Sequence, residues 1–457
     1  MCFVTLYAIS LFWGTRGALL VVATSIAFND SAAIAINDFV ITPFYLGLVI
    51  VCGFESLRLI RRPNEKGKTR KFTIGALGGL FFYSAFVTAI GPWLFRGTGV
   101  VAKGIWTDGD VGSLNSLAPS ISNAAQVAYL TLNVVFITFS RRHQLFTLVH
   151  VKLGLGIGTG VSFLGILASV LGFDWPHAFF DNSPRGMYAI EFLRLRAQFS
   201  EPSHLGAFSL TATIFFLVLI FQARAVKPFL GALALALMAA TAFALSSSGG
   251  AVLGSIVAAS VMVFAVIIAY TRTRGKIPIP PIAFLIGVVC VTSLVCLAPV
   301  IFDVIGEVVQ QKQGGISLNS RNYQNQNSWQ LFASTFGIGV GLGSSQTSSM
   351  FLMLIGSIGA IGTTLFLIVL TKSLREGFSN PQRFAAAAAL IAFISSAFIS
   401  LSDFSSPVMW SLIAVCISPS VIVATISGTD REAAPNIRES KSFMESAIST
   451  NVYTSTR

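Results

Sequence analysis

Apolar runs of about twenty residues recur along almost the whole chain, and that recurrence limits the possible folds most strongly. A helix rises 1.5 Å per residue, so about 20 residues cross a hydrocarbon core of ~30 Å. Inside that core only a helix or a closed barrel satisfies its own backbone, and runs this long and this continuous read as helices. Twelve such segments are expected, at roughly 3–28, 38–60, 72–94, 120–140, 145–173, 206–222, 229–247, 249–271, 280–301, 346–371, 384–402 and 408–427. Charged residues make up only 11% of the 457, against about 25% in soluble domains, and the mean hydropathy is +0.77. The expectation is an all-α polytopic membrane protein: one membrane domain over 1–427 and a polar, flexible tail over 428–457. The first segment is interrupted by Arg16 and reads either as one span or as two short pieces.

The net charge of +12 suggests nucleic acid only until the basic residues are placed. With the N-terminus in the cytoplasm, twenty-one of the 30 Lys and Arg fall in inward segments, among them RLIRRPNEKGKTRK from Arg58 and KSLREGFSNPQR from Lys372. Seven fall outward: Arg96, Lys103, Arg185, Arg194, Arg196, Lys312 and Arg321. This is the positive-inside pattern, so the charge reports topology and no nucleic-acid partner is expected. Both termini are then cytoplasmic. The N-terminus lacks the basic start and small-residue cleavage site of a signal peptide. Cys2, Cys52, Cys290, Cys296 and Cys416 form no CxxC pair, so neither a disulfide framework nor a metal site is read.

Two long outward loops, about 174–205 and 302–345, carry the polar chemistry. The first ends in RLRAQFSEPSHLG, Arg194 to Gly206. Ser200-Glu201-Pro202 reads as a helix start, with serine as the cap. The free N–H groups of that start, beside Arg194 and Arg196, make an anion site. Glu201 and His204 lie three apart on one helix face and are the candidate bases. The alternative reading is structural: interfacial arginines touching headgroups, Glu201 complementing the helix dipole and a satisfied histidine. The preceding YAIEFLRLRAQF is amphipathic and expected on the bilayer surface.

The second loop sets Arg321 among amides, as NSRNYQNQN, with Asn322 and Tyr323 beside it. Amides next to an arginine suit hydroxyl-rich ligands or a solvated loop. The run GIGVGLGSS, Gly337 to Ser345, fails as GxGxxG and has no strand–helix unit around it. It is expected to form a tight re-entrant turn with close backbone approach. Gly154/Gly158 and Gly156/Gly160 read as helix-packing faces. The outward acids do not cluster as a metal cage, and no metal or cofactor is expected.

A polytopic chain with one large loop ending in arginines and EPSH, then a second with Asn319-Ser320-Arg321 followed by an FGxGxG turn, resembles bacterial Wzy-type polymerases. These are the O-antigen and exopolysaccharide polymerases of the O-antigen ligase/polymerase superfamily. The similarity covers the arrangement of about 30–425, and its specific part is 185–210 and 317–360. Arg196 and Gly206 enclose nine residues and Arg321 and Gly337 fifteen, so the arginines correspond by loop context alone. The resemblance implies a GT-C-like arrangement in the bacterial inner membrane, with the site facing the periplasm. It implies inverting, metal-independent glycosyl transfer between undecaprenyl-diphosphate-linked oligosaccharides. A flippase and a chain-length regulator are the implied protein partners. In this reading Arg185, Arg194, Arg196, Arg321, Asn322 and Tyr323 bind diphosphate and sugar, and Glu201 or His204 takes the proton. An O-antigen ligase is the nearest alternative, although the second loop has no histidine. A flippase or transporter of lipid-linked sugars is the other, against which polarity concentrates in the loops rather than at mid-span.

Overall fold

The computed structural model describes residues 2–36, 39–61, 71–101, 114–176, 180, 182, 195–246, 248–272 and 316–418. Arg185, Arg194, the expected span 280–301 and the tail 428–457 lie outside these. In chain order the helices are α1 (Cys2–Ser10), α2 (Gly14–Ser25), α3 (Pro43–Arg61), α4 (Lys71–Leu94), α5 (Ile121–His143), α6 (Leu148–Leu171), α7 (Pro202–Gln222), α8 (Val226–Leu245), α9 (Gly249–Arg272), α10 (Ile316–Ser334), α11 (Met350–Phe378), α12 (Phe384–Ser400) and α13 (Pro407–Ile417). A helix falls on every expected segment that the described residues reach. Among the described residues, nine helical stretches are long and apolar enough to cross a membrane by length and composition, with α1 and α2 together (Cys2–Ser25) counted as one of them. The protein is therefore an all-α chain of multi-pass membrane type. Its only sheet among the described residues is two short antiparallel hairpins, β1 (Ile34–Ile36) with β2 (Phe39–Ile41), and β3 (Gly99–Val101) with β4 (Leu114–Ser116).

Small residues let the helices approach closely, as expected where lipid removes any hydrophobic drive between helices. A methyl added at Gly154 would lie 2.3 Å from the Ala23 carbonyl, and one at Gly158 would lie 2.3 Å from Ala27. That pair is the contact face of α6 against α2. The other expected pair is not: Gly156 meets only ordinary contacts and Gly160 none. On α12, Ala385 through Ala389 are all fully buried.

The first segment does not run straight. The rings of Phe3 and Phe28 are 5.3 Å apart, whereas a continuous helix would separate them by about 37 Å. The turn is Leu11–Trp13 with Gly14 at φ 58°, and the Tyr7 hydroxyl reaches back to donate to the Pro43 carbonyl at 3.0 Å. The arms α1 and α2 have 9 and 12 residues, about 14 and 18 Å, each too short for a ~30 Å core. Phe12 and Trp13 at the tip are exposed, and Arg16 is exposed in the first turn of α2. Residues 2 and 3 therefore lie at the same end of the bundle as residues 28–33. The alternation of basic loops from α3 onward is unaffected.

The glycine run folds against a broken helix. Gly359 interrupts α11 at φ 63°, ψ −166°, backbone that glycine adopts without a Cβ penalty. The interrupted ladder is completed from outside: Val340 and Gly341 N–H donate to the carbonyls of Gly356 and Ser357 at 3.0 and 2.8 Å, and Ala360 N–H donates to Gly337 at 2.9 Å. Thr88 of α4 accepts from Leu342 N–H at 2.9 Å, and Asn123 of α5 donates to Leu342 O and Ser344 Oγ at 2.7 and 2.8 Å. Residues 360–378 alone span about 28 Å, so the break lies toward one end of the bundle. The expected close backbone approach is present.

Two measurements follow. In a background with Cys290→Ser and Cys296→Ser, the exposed Cys2 labels with an impermeant thiol reagent from the same vesicle face as Asn115→Cys, and Ser379→Cys labels from the opposite face. Labelling of Cys2 with Ser379→Cys would exclude the hairpin. Gly339 has φ +94°, and an added Cβ would lie 2.4 Å from the Ser357 carbonyl oxygen. Gly339→Ala is expected to cost about 3 kcal/mol in thermal melting, whereas Gly231→Ala, in open space on α8, gains up to about 1 kcal/mol.

Candidate functional site

Three segments meet at one end of the bundle: residues 26–33 after α2, 195–204 leading into α7, and 401–406 between α12 and α13. Residues 195–200 do not lie on a surface. Gln198 is fully buried, donating to the Gly158 carbonyl at 3.0 Å and accepting from Ser162 Oγ at 3.1 Å. Ala197 adopts φ 47° and packs on Gly165. The expected amphipathic surface helix therefore does not extend through this stretch. The cap also differs by one residue: α7 begins at Pro202 with Glu201 as N-cap. Ser200 has another task, its N–H donating to Asp30 Oδ2 at 2.9 Å.

Asp30 organises the site. Its Oδ2 also lies 3.2 Å from His204 Nδ1. An ionised carboxylate can only accept, so the ring donates from Nδ1 and its Nε2 is left to exchange a proton. Burial pushes the Asp30 carboxyl up, but the His204 charge, the His204 hydrogen bond and the Ser200 bonds together outweigh it and hold it below the usual range. The side chains of His204 and Asp30 remain 23% and 14% exposed, so the pair can be reached from outside. Glu201 Oε2 accepts from Ser203 Oγ at 2.8 Å.

A second carboxylate completes the cluster. Asn29 Nδ2 donates to Asp403 Oδ2 at 2.8 Å, and Ser405 donates to Asp403 Oδ1 from N–H and hydroxyl at 2.9 and 2.7 Å. The Ser405 carbonyl accepts from Tyr45 OH at 2.6 Å, and Tyr45 accepts from Asn133 at 2.8 Å. Asp403 is pushed up by burial, with the negative Asp30 adding to it, against the Ser405 bonds and His204. Two acids near one imidazole are thus driven apart, one held ionised and the other more readily protonated.

The structure gathers Glu201 and His204 around this cluster, and Arg196 precedes them, half-buried. Arg321, Asn322 and Tyr323 stand on a separate wall, α10, which is tied to β3 through Asn327 Nδ2 and the Gly99 carbonyl at 3.1 Å. Arg321 is half-buried and forms no ion pair with any described residue. Among the described residues no three His, Cys, Asp or Glu converge as a metal set. Asp30 and Asp403 were not among the residues expected from sequence. Their signal was available in Asn29-Asp30-Ser31 and Ser402-Asp403, short polar breaks between apolar segments.

No protein-family model matches the chain, and no curated protein matches it in sequence.

The Asp30 contribution is pH-dependent with a defined sign. A lowered folded value stabilises above the ordinary carboxylate pKa of about 3.9, and that contribution is lost as pH falls through the folded value. Asp30→Asn should cost about 1–3 kcal/mol near pH 7. Melting of the wild type and variant from pH 7 to pH 3 should show the gap closing below about pH 4. A gap that persists in acid would show that the charge is not what Asp30 supplies.

Proposed function

We propose that the chain is a membrane glycosyltransferase that polymerises diphospholipid-linked oligosaccharide repeat units, the activity implied by its resemblance to Wzy-type polymerases. The observation that carries the reading is the Asp30–His204 pair at the start of α7. A carboxylate fixing one imidazole nitrogen leaves the other as a general base, the arrangement used to activate a hydroxyl. A sugar hydroxyl is a poor nucleophile at neutral pH and needs such a base.

In this mechanism the imidazolium that faces Asp30 first releases its Nε2 proton to water, and the neutral ring, still protonated on Nδ1, takes the proton of an acceptor sugar hydroxyl at Nε2 as that oxygen attacks the anomeric carbon of the donor. The new C–O bond forms as the bond to the diphosphate oxygen breaks. The lipid diphosphate leaves with the electron pair, and the anomeric centre inverts. Asp30 stabilises the imidazolium formed. Arg196 and Arg321, with Arg185 and Arg194, supply the cations that stabilise the leaving diphosphate, helped by the positive end of the α7 dipole. Asn322 and Tyr323 offer hydrogen bonds to sugar hydroxyls. The site faces the periplasm of a bacterial inner membrane, within a twelve-segment GT-C-like domain whose first segment is the α1–α2 hairpin.

The test is reconstitution of the purified chain with defined lipid-linked repeats in detergent, without an ion gradient. Longer lipid-linked oligomers are expected. His204→Gln should reduce their rate by about 10²–10⁴-fold and Arg321→Ala by about 10²-fold or more. Transport alone would yield no oligomer. A ligase would transfer chains only to a separate lipid acceptor. Wild-type oligomer formation by both variants would exclude this site.

A further inference from the structure

A second cluster lies at the end of the bundle away from Asp30, where α5, α11 and α13 finish. Arg141, in the last turn of α5, is 5% exposed. Arginines placed only to mark topology extend toward water or headgroups, but this one turns inward. Its Nη2 lies 3.8 Å from Glu376 Oε1 on α11, too long for a hydrogen bond. Among the described residues its buried Nη1 has no hydrogen-bond partner. A buried guanidinium with an unmet donor is costly, and native structures rarely keep one without a ligand or water.

Arg383 is near enough to feel its charge. Its Nη1 donates to the Cys416 carbonyl at the end of α13 at 3.2 Å, and its charge and that of Arg141 repel one another while both feel Glu376. The surrounding walls are tied together, with Ser418 Oγ donating to the Ser140 carbonyl at 3.3 Å. Lys372 lies one turn before Glu376 on α11, so of the named side chains at this corner the cations Arg141, Arg383 and Lys372 outnumber Glu376. The excess is fixed on three helix ends rather than spread over a solvated loop.

We infer that Arg141 and Arg383 form a binding site for a phosphate group at this end of the bundle. Two guanidinium groups close enough to feel one another's charge suit the oxygens of a phosphate ester, which each can bind as a planar fork, and basic pockets between membrane helices recognise anionic headgroups by this chemistry. The ligand class is a phosphate mono- or diester, carried by a membrane lipid or by a soluble molecule. The site is separate from the Asp30–His204 pair and does not depend on the reaction assigned to it.

The experiment uses the purified full chain in neutral detergent, with binding read by native mass spectrometry and by thermal melting. The ligands are phosphatidylglycerol, inorganic phosphate and, as a control without net charge, phosphatidylcholine. Saturable binding of phosphatidylglycerol or phosphate, but not phosphatidylcholine, is expected. Arg141→Gln and Arg383→Gln should each weaken it about ten-fold or more. Preference for phosphatidylglycerol identifies a lipid source, and equal binding of inorganic phosphate a soluble one. Arg383→Gln, at a less buried position, carries the test if Arg141→Gln does not accumulate. Absence of binding, or binding that neither substitution weakens, overturns the inference.

Discussion

One carboxylate oxygen joins distant parts of the chain. Asp30 Oδ2 accepts from Ser200 N–H and faces His204 Nδ1, linking the loop after α2 to the start of α7. The adjacent Asn29 ties the same loop to Asp403. An ionised group in so enclosed a place must be balanced by hydrogen bonds and opposite charge. The surrounding polar groups are arranged to do this, which is why Ser200 turns its backbone and side chain to Asp30 rather than capping a helix. Positioning of His204 is therefore a property of three loops and not of α7 alone.

The backbone follows the same economy. A helix interrupted within a membrane protein must have its freed groups met by protein, and the carbonyls of Gly356 and Ser357 are met by Val340 and Gly341. The glycine run is a patch that replaces a missing stretch of helical ladder. Thr88 and Asn123 fasten that patch to α4 and α5, so the wall carrying Arg321 is braced by neighbours distant in sequence.

Much of the helical layout was legible because hydrophobic run length is a local property. The Gly154/Gly158 face could be read for the same reason. The hairpin of α1 and α2 was legible only as one of two readings: two short apolar arms joined by an apolar turn have the length and composition of one span, and only Gly14 and Arg16 distinguish them. The candidate site was half legible. Glu201 and His204 stand out in an apolar chain. Asp30 does not, because its value lies in contacts 170 and 174 residues away. The shift of the cap from Ser200 to Glu201 has the same origin, since a local rule gave way to a long-range hydrogen bond.

The doubled-back first segment also bears on how the molecule is assembled. Neither arm is long enough to be held across a bilayer, so neither has a stable position until protein surrounds it. Its partners come later in the chain: Pro43 at the start of α3, and Gly154 and Gly158 on α6. Asp30 follows directly from the second arm. The two arms precede these partners in the chain and are thus among the last parts to settle, and the carboxylate that orients His204 takes its place only once the bundle around it has closed.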